Sequence, residues 1–501
     1  MSTCNLRTLF ALSSLFAVVL QQVLAQVGLN NLWTGGFESY AGPPFGGLDI
    51  DFLNGPPVLT YLSRDINYGR TSANITDIEG ALLFSTNGAY LGDTNGDTLL
   101  NGTGINPSGY TSAYTPYGLF LPQSVLILPK PATPNIHYLI HGTVDNDMTI
   151  TAQYLYLSTI DMTLNGGLGA VVIKNQIVLQ DALNEGKITA VRHANGRDWW
   201  VFCHKAFTNI YYRLLVTPYG VSVDGTQSIG IVRPADAGQV CFSPDGSKFA
   251  YYWGVEDLEI FDFDRCTGLF SNPVFIPIED DNANSGVAFS PNNRYLYVSS
   301  SSDAYQFDTD AADITASMVQ IAHWDGFYSP EPPFATGFDI AQLAPNGKVY
   351  MGTGNSTFHL HVVNDPDEGG LACNMVQHGV ELPTWYSNSL PNHPNYHLGP
   401  IDGTVCDSLG INVGVPEAVL RASASAYPNP NSGEFALSYA AQATAGELEV
   451  HNAAGQVVLR ERLPAWSTVH AIDLASQPTG MYHCRLQWGA RATSVRVILQ
   501  P

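Results

Sequence analysis

The stretch LPNHPNYHLG, residues 390–399, sets His393 and His397 four apart, with Asp402 and Cys406 close behind. Imidazole, carboxylate and thiol are the groups that hold transition metals and move protons. A spacing of four joins two side chains on a helix, but Pro391 and Pro394 oppose a helix here. In an extended chain the two rings point the same way and stand about 13 Å apart, too far for one ion. The stretch therefore reads as architecture, the turns of a last structural unit. In HANGRDWW, His193, Asp198, Trp199 and Trp200 gather an imidazole, a carboxylate and two indoles. Here ANG makes a hairpin turn, and adjacent tryptophans on the strand after it point to opposite faces, which suits packing between sheets. GDTNGDT places Asp93, Asn95 and Asp97 at alternate positions, an oxygen pattern that invites calcium. Thr98 stands where a calcium loop needs Gly, and Gly104 where it needs Glu, so a solvated turn is the default and calcium the only cofactor in view. FDTDAAD at 307–313 reads the same way. There is no G-x-S-x-G, H-E-x-x-H or G-x-x-x-x-G-K motif. Glycosidase chemistry needs two carboxylates placed by the fold, and sequence singles out none.

These residues must be positioned by strands. Charged residues make up only 13% of the chain, against a usual quarter, while Gly (47), Pro (31) and Tyr (25) are abundant. That mixture favours short strands and turns over long helices. The net charge of −23 repels phosphate, and no basic patch interrupts it, which argues against nucleic acid and anionic membranes as partners.

A unit recurs through the middle of the chain. VCFSPDGSKFAYYW from Val240, VAFSPNNRYLYVSS from Val287 and AQLAPNGKVYMGTG from Ala341 each place a Pro-Asp-Gly or Pro-Asn turn between strands of period two. Weaker copies turn near residues 85, 131 and 194, and LPNHPNYHLG supplies a last one near 391. The interval of roughly 45–65 residues leaves room for four strands per unit, the mark of a β-propeller. Seven anchors predict seven blades, with six or eight left open by insertions; a sandwich of the same hairpins is the alternative. A ring must close, and the strand LDIDFLNG near the N-terminus is expected to complete the last blade.

The chain changes character at both ends. Arg7 precedes the apolar run TLFALSSLFAVVL, and VLA ends on Ala25 before Gln26, the pattern of a secretory signal too short to span a membrane. Six cysteines follow it, and export permits oxidation. Fifteen connectivities are possible; proximity along the chain favours Cys241–Cys266 and Cys373–Cys406. After PEAVLRASASA, the last 75 or so residues alternate as short strands broken by NSG, AAG and PTG turns, enough for a small β-sandwich.

This last segment resembles the C-terminal sorting domain of the type IX secretion system of Bacteroidota. The resemblance rests on YPNPNSGEF (Tyr427, Pro428, Asn429, Pro430, Gly433, Phe435), the N-x-x-G turn ending at Gly455, IDLASQPTGMY with Gly480 and Tyr482, and Arg496 near the end. It implies contact with that secretion machinery, passage across the outer membrane, and surface attachment or release. Residues 31–410 resemble secreted propeller-like proteins of the same phylum through NLWTGG, GLDIDFLNGPPV, TDIEGALLFSTNG, VLILPKPATPNIHYLI, KITAVRHANGRDWWVFCHK, FSPDGSKFAYY and LPNHPNYHLGPIDGTVCDSLG. That group brings no reaction with it.

The sequence thus predicts an all-β chain: signal peptide 1–25, seven-bladed propeller 26–415, linker 416–426 and sorting domain 427–501. The expected role is non-catalytic binding, adhesion or envelope scaffolding, with polysaccharide or a surface protein as ligand. The alternative is a carbohydrate- or peptide-active hydrolase or lyase with carboxylates at the channel mouth. Gln26 is the expected first residue of the exported protein. Mass spectrometry of its N-terminal peptide checks this, and a chain that keeps Met1 contradicts it.

Overall fold

The computed structural model describes residues 28–54, 56–279, 284–407 and 424–500. The expected signal peptide and most of the expected linker lie outside these residues. Strands dominate the rest, as alternating side chains and turn residues require. In the fifth sheet, Gln239–Phe242, Lys248–Trp253, Asp257–Asp264 and Leu269–Ile276 pair in chain order. The sixth (Ser285–Phe289 to Val319–His323) and seventh (Ala341–Leu343 to Met375–Ser387) repeat that order. An eight-stranded run between Val125 and Arg233 is two such units, joined through the single pair Leu183 and Lys205. Ala73–Thr76, Leu82–Thr86 and Leu91–Asp93 form the second sheet.

Each sheet buries both faces. On Lys248–Trp253, Phe249 and Tyr251 pack with Trp200, Phe202 and Tyr211 of the fourth sheet. Ala250 and Tyr252 of the same strand pack with Val287, Leu296 and Val298 of the sixth. Face-to-face packing of successive sheets closes a ring, so the fold is a β-propeller of seven sheets. Trp199 and Trp200 divide in this way, Trp199 into the core of the second to fourth sheets and Trp200 into the next.

The first sheet's place in the ring is built from both ends of the propeller segment. Leu32–Phe37, Gly46–Asp51 and Val58–Leu62 pair only among themselves. LDIDFLNG therefore does not join the ladder of the last sheet, contrary to expectation. Ser72 Oγ donates to Thr34 O (3.2 Å) and Asn74 Nδ2 to Leu32 O (2.8 Å), so Leu32–Phe37 runs against the inner strand Ala73–Thr76. The inner position is instead taken by residues 388–400, which leave Met375–Ser387 and thread the channel without strand structure. LPNHPNYHLG is this strap, not a hairpin; its prolines lack the N–H groups a ladder needs.

The strap is stapled by Cys266–Cys406, with Cα atoms 5.6 Å apart. This corrects both proximity pairings. Cys266 sits on the hairpin after Asp257–Asp264, where the strap leaves the ring, while Cys241 and Cys373 are free thiols inside it. Cys241 packs between the fifth and sixth sheets and Cys373 between the sixth and seventh, away from the hairpin that carries Cys266.

Residues 425–500 form a sandwich of a three-stranded sheet (Ser425–Tyr427, Glu434–Ser438, Val469–Asp473) on a four-stranded one (Val457–Leu463, Gly446–His451, Gly480–Trp488, Arg491–Leu499). Phe435, Leu437, Val450, Tyr482, Cys484 and Val497 share its core. The YPNP motif is a clasp: Asn429 Oδ1 accepts from Ile498 N (2.9 Å) and its Nδ2 donates to Arg496 O (2.8 Å). Gly433, at φ +119°, lies where a Cβ would meet Ala475 Cα at 2.5 Å.

A disulfide that closes a long loop typically contributes about 2–4 kcal/mol. Non-reducing peptide mapping is expected to show Cys266 linked to Cys406. Cys406→Ser is expected to lower unfolding free energy by about that amount; an unchanged denaturation midpoint contradicts the staple.

Candidate functional site

The site begins with the backbone edges of the inner strands, which face the channel with no strand beside them. Side-chain amides serve those edges. Gln239 Oε1 accepts from Val287 N and Ala341 N (both 2.9 Å), and its Nε2 donates to Ala341 O (2.7 Å). Gln123 serves Val240 N and O in the same way (both 2.9 Å). Asn392 of the strap donates through Nδ2 to Val125 O and Ile188 O (both 2.8 Å), and its backbone N donates to Ser72 O (3.0 Å). Gln123 Nε2 also donates to Asn392 Oδ1 at 3.2 Å, which joins two of these amides. The channel is filled by this hub and by the strap, leaving a cavity of about 100 Å³.

His393 lies inside, its Nε2 hydrogen-bonded to Asn74 O (2.8 Å), and burial lowers its pKa to about 4. His397 reaches Asn30 Oδ1 (3.2 Å), Asp402 is exposed in a turn, and Cys406 is disulfide-bonded. His393, His397, Asp402 and Cys406 are thus not brought together. Asp93 Oδ1 accepts from Asn95 N (2.8 Å) and Asp97 N (3.2 Å), closing its own turn. Among the described residues no group of three or more His, Cys, Asp or Glu side chains is placed to hold a metal ion. Asp198 pairs with Arg197 (2.8 Å), and Trp200 Nε1 donates to Arg265 O (2.8 Å), both packing roles.

What sequence reasoning missed lies on one face. Residues just before the inner strands ring the upper mouth of the channel: Arg70, Glu185, Lys187, Asp236 and Asp339. Lys187 Nζ meets Asp236 Oδ1 at 2.6 Å, both buried, and Tyr251 OH donates to Asp236 Oδ2 at 2.6 Å. Burial pushes the Asp236 pKa up, but Lys187 and Tyr251 outweigh it and hold it below the usual value. Arg70, before the second sheet, pairs with Asp339, before the seventh (2.8 Å). There burial prevails over Arg70, and the Asp339 pKa is raised. Glu185 is only partly buried; desolvation, aided by Asp236 and opposed by Lys187 and Arg70, lifts it to about 7. The recurring signal was an Asp two or three residues before an inner strand, in ADAGQVCF and FDIAQL.

Aromatic rings stand on the same face. Trp385 meets Phe334 (4.7 Å), Phe45 (5.4 Å) and Phe358 (5.8 Å). Phe327 and Tyr328 beside them are each more than a third exposed. The loop carrying these rings is pinned by Ser329 Oγ to His359 Nδ1 (2.7 Å) and by His378 Nε2 to Asp325 (2.9 Å). A second group, Tyr110, Tyr114 and Phe120, stands before the third sheet, with centroids 4.6 and 5.4 Å apart.

Residues 425–500 match the family described as the secretion system C-terminal sorting domain. That tail is the type IX sorting signal, and it marks the chain as exported and then secreted or held at the cell surface. No curated protein matches the chain. Solved structures with a similar course include a Bacteroides fragilis protein provisionally assigned as a 6-phosphogluconolactonase (10% identity, 72% of this chain and 97% of that one, TM-score 0.39). A Lactobacillus plantarum protein (10%, 89% and 100%, TM-score 0.37) and the Myceliophteria thermophila Cps50 (Swd1) β-propeller domain (9%, 67% and 96%, TM-score 0.36) are others. Likeness at this level carries no activity across. Among the described residues no helix is long and apolar enough to cross a membrane.

The raised Glu185 pKa has a stability consequence. The folded state keeps a proton that the unfolded state loses from about pH 4.5, so stability falls as pH rises toward 7. Glu185→Gln is expected to match the parent below pH 4.5 and to be more stable above pH 7; equal pH profiles contradict the assignment.

Proposed function

We propose that this exported propeller is a non-catalytic binding module whose upper face takes a polysaccharide at the cell surface. The observation that carries the reading is how the mouth carboxylates are used. Asp236 and Asp339 are buried and already paired with Lys187 and Arg70, and the channel behind them is filled. Only Glu185 is left, while hydrolysis of a glycosidic bond takes two available carboxyl groups. Exposed rings flanking a polar centre suit the apolar faces and hydroxyl edges of a sugar chain. A rigid ring carrying function on its loops suits adhesion and envelope scaffolding equally.

The second reading is a hydrolase or lyase. Its supporting observation is that Glu185 titrates near neutrality, where a general acid is effective.

Retention on a panel of insoluble polysaccharides, with reducing ends assayed in the same tubes, separates the two. Binding without product is expected, with and without calcium; calcium dependence would direct attention to the Asp93 turn. Phe327→Ala and Trp385→Ala are each expected to weaken binding about tenfold or more, about 1.4 kcal/mol. Product that disappears in Glu185→Gln would overturn the binding reading, and retention by neither route would move a protein ligand to the front.

A further inference from the structure

The sorting domain does not hang free of the ring. Its three-stranded sheet lies on the ring's lower face, where the inner strands end. Ala436 and Val469 are buried in one cluster with Trp33, Ile50, Phe52 and Tyr350 of the propeller. Thr468 N donates to Pro345 O (2.9 Å), and Ser438 Oγ donates to Leu53 O (2.9 Å). Arg462 faces Asp367 at 3.4 Å. The approach is close enough that a Cβ on Gly347 would stand 2.6 Å from Pro464 Cβ. Trp466 lines the cavity at the lower end of the channel, beside Pro244, Pro345 and His397. Apolar side chains shared between two bodies, satisfied backbone groups at their edge and a tight backbone approach are marks of a built interface rather than a tether.

We propose that the lower face of the ring is a receptor for the sorting domain, and that the two remain bound after the chain between them is cut. Whatever holds the sorting domain would then hold the propeller too, without a covalent link. Trp466 stands at the lower end of the channel, and ligands would then reach the ring from the upper face. The inference concerns attachment and stands whether or not the upper face binds sugar.

A site-specific protease sequence placed between residues 408 and 423 of the full chain tests it. After cutting, the two pieces are expected to co-elute in gel filtration at about 1 μM. Two separate peaks would overturn the proposal. Val469→Asp is expected to release the sorting domain on cutting, while the uncut variant keeps the parent's gel-filtration volume. Should Val469→Asp fail to fold, Arg462→Glu, at an exposed side chain, is expected to speed dissociation about tenfold by surface plasmon resonance. Co-elution or a dissociation rate unchanged by either substitution would overturn the assignment of this interface.

Discussion

A closed ring of sheets leaves one demand unmet. The inner strands turn a backbone edge toward a channel too narrow to admit another strand. Each bare buried carbonyl or amide there costs about 1–3 kcal/mol. Gln123, Gln239 and Asn392 meet that demand with side-chain amides, which carry a donor and an acceptor just as the peptide group does. Asn392 reaches three inner strands or their approaches because the strap puts it at the centre. The strap is fixed below by Arg265, which donates to Gly399 O, and by the Cys266–Cys406 bond. Ring closure, register of the inner strands and loss of the channel are therefore one interaction seen three ways.

The two faces then differ. Below, the sorting domain covers the ring and Trp466 reaches the channel end. Above, charges that could have made a reaction centre are mostly spent holding neighbouring sheets together. Lys187–Asp236 links the approaches to the fourth and fifth inner strands, and Arg70–Asp339 links those to the second and seventh. Buried pairs of this kind are costly to break, because removing one partner leaves an uncompensated charge. Aromatic loops fixed on such a frame have little freedom to lose on binding, which favours recognition.

Much of the fold was legible because it is local. FSPDGSKFAYY announces a hairpin by its turn residues and period, and the two tryptophans of RDWW sort to opposite faces by alternation alone. The YPNP and PTG segments carried the resemblance to the sorting domain because each motif is short and contiguous in sequence. The strap was legible as a break in pattern at Pro391 and Pro394, but not as the closure of the ring. Its partners, Asn74, Val125 and Ile188, lie about 200 to 320 residues away. The disulfide failed for that reason too: Cys266 and Cys406 are separated by 140 residues, and nothing local relates them. The mouth charges were visible only as scattered acids, since the topology alone gathers residues that precede inner strands.

Hydrogen exchange of the strap tests the central claim most directly, that the ring is closed from within. Amides of residues 389–398 that are hydrogen-bonded, Asn392 above all, are expected to exchange as slowly as those of Val125–Pro129, through global unfolding only. Rapid exchange at Asn392, with the inner strands still protected, would mean that the strap leaves the channel in the native state. The amide hub would then not be what closes the ring.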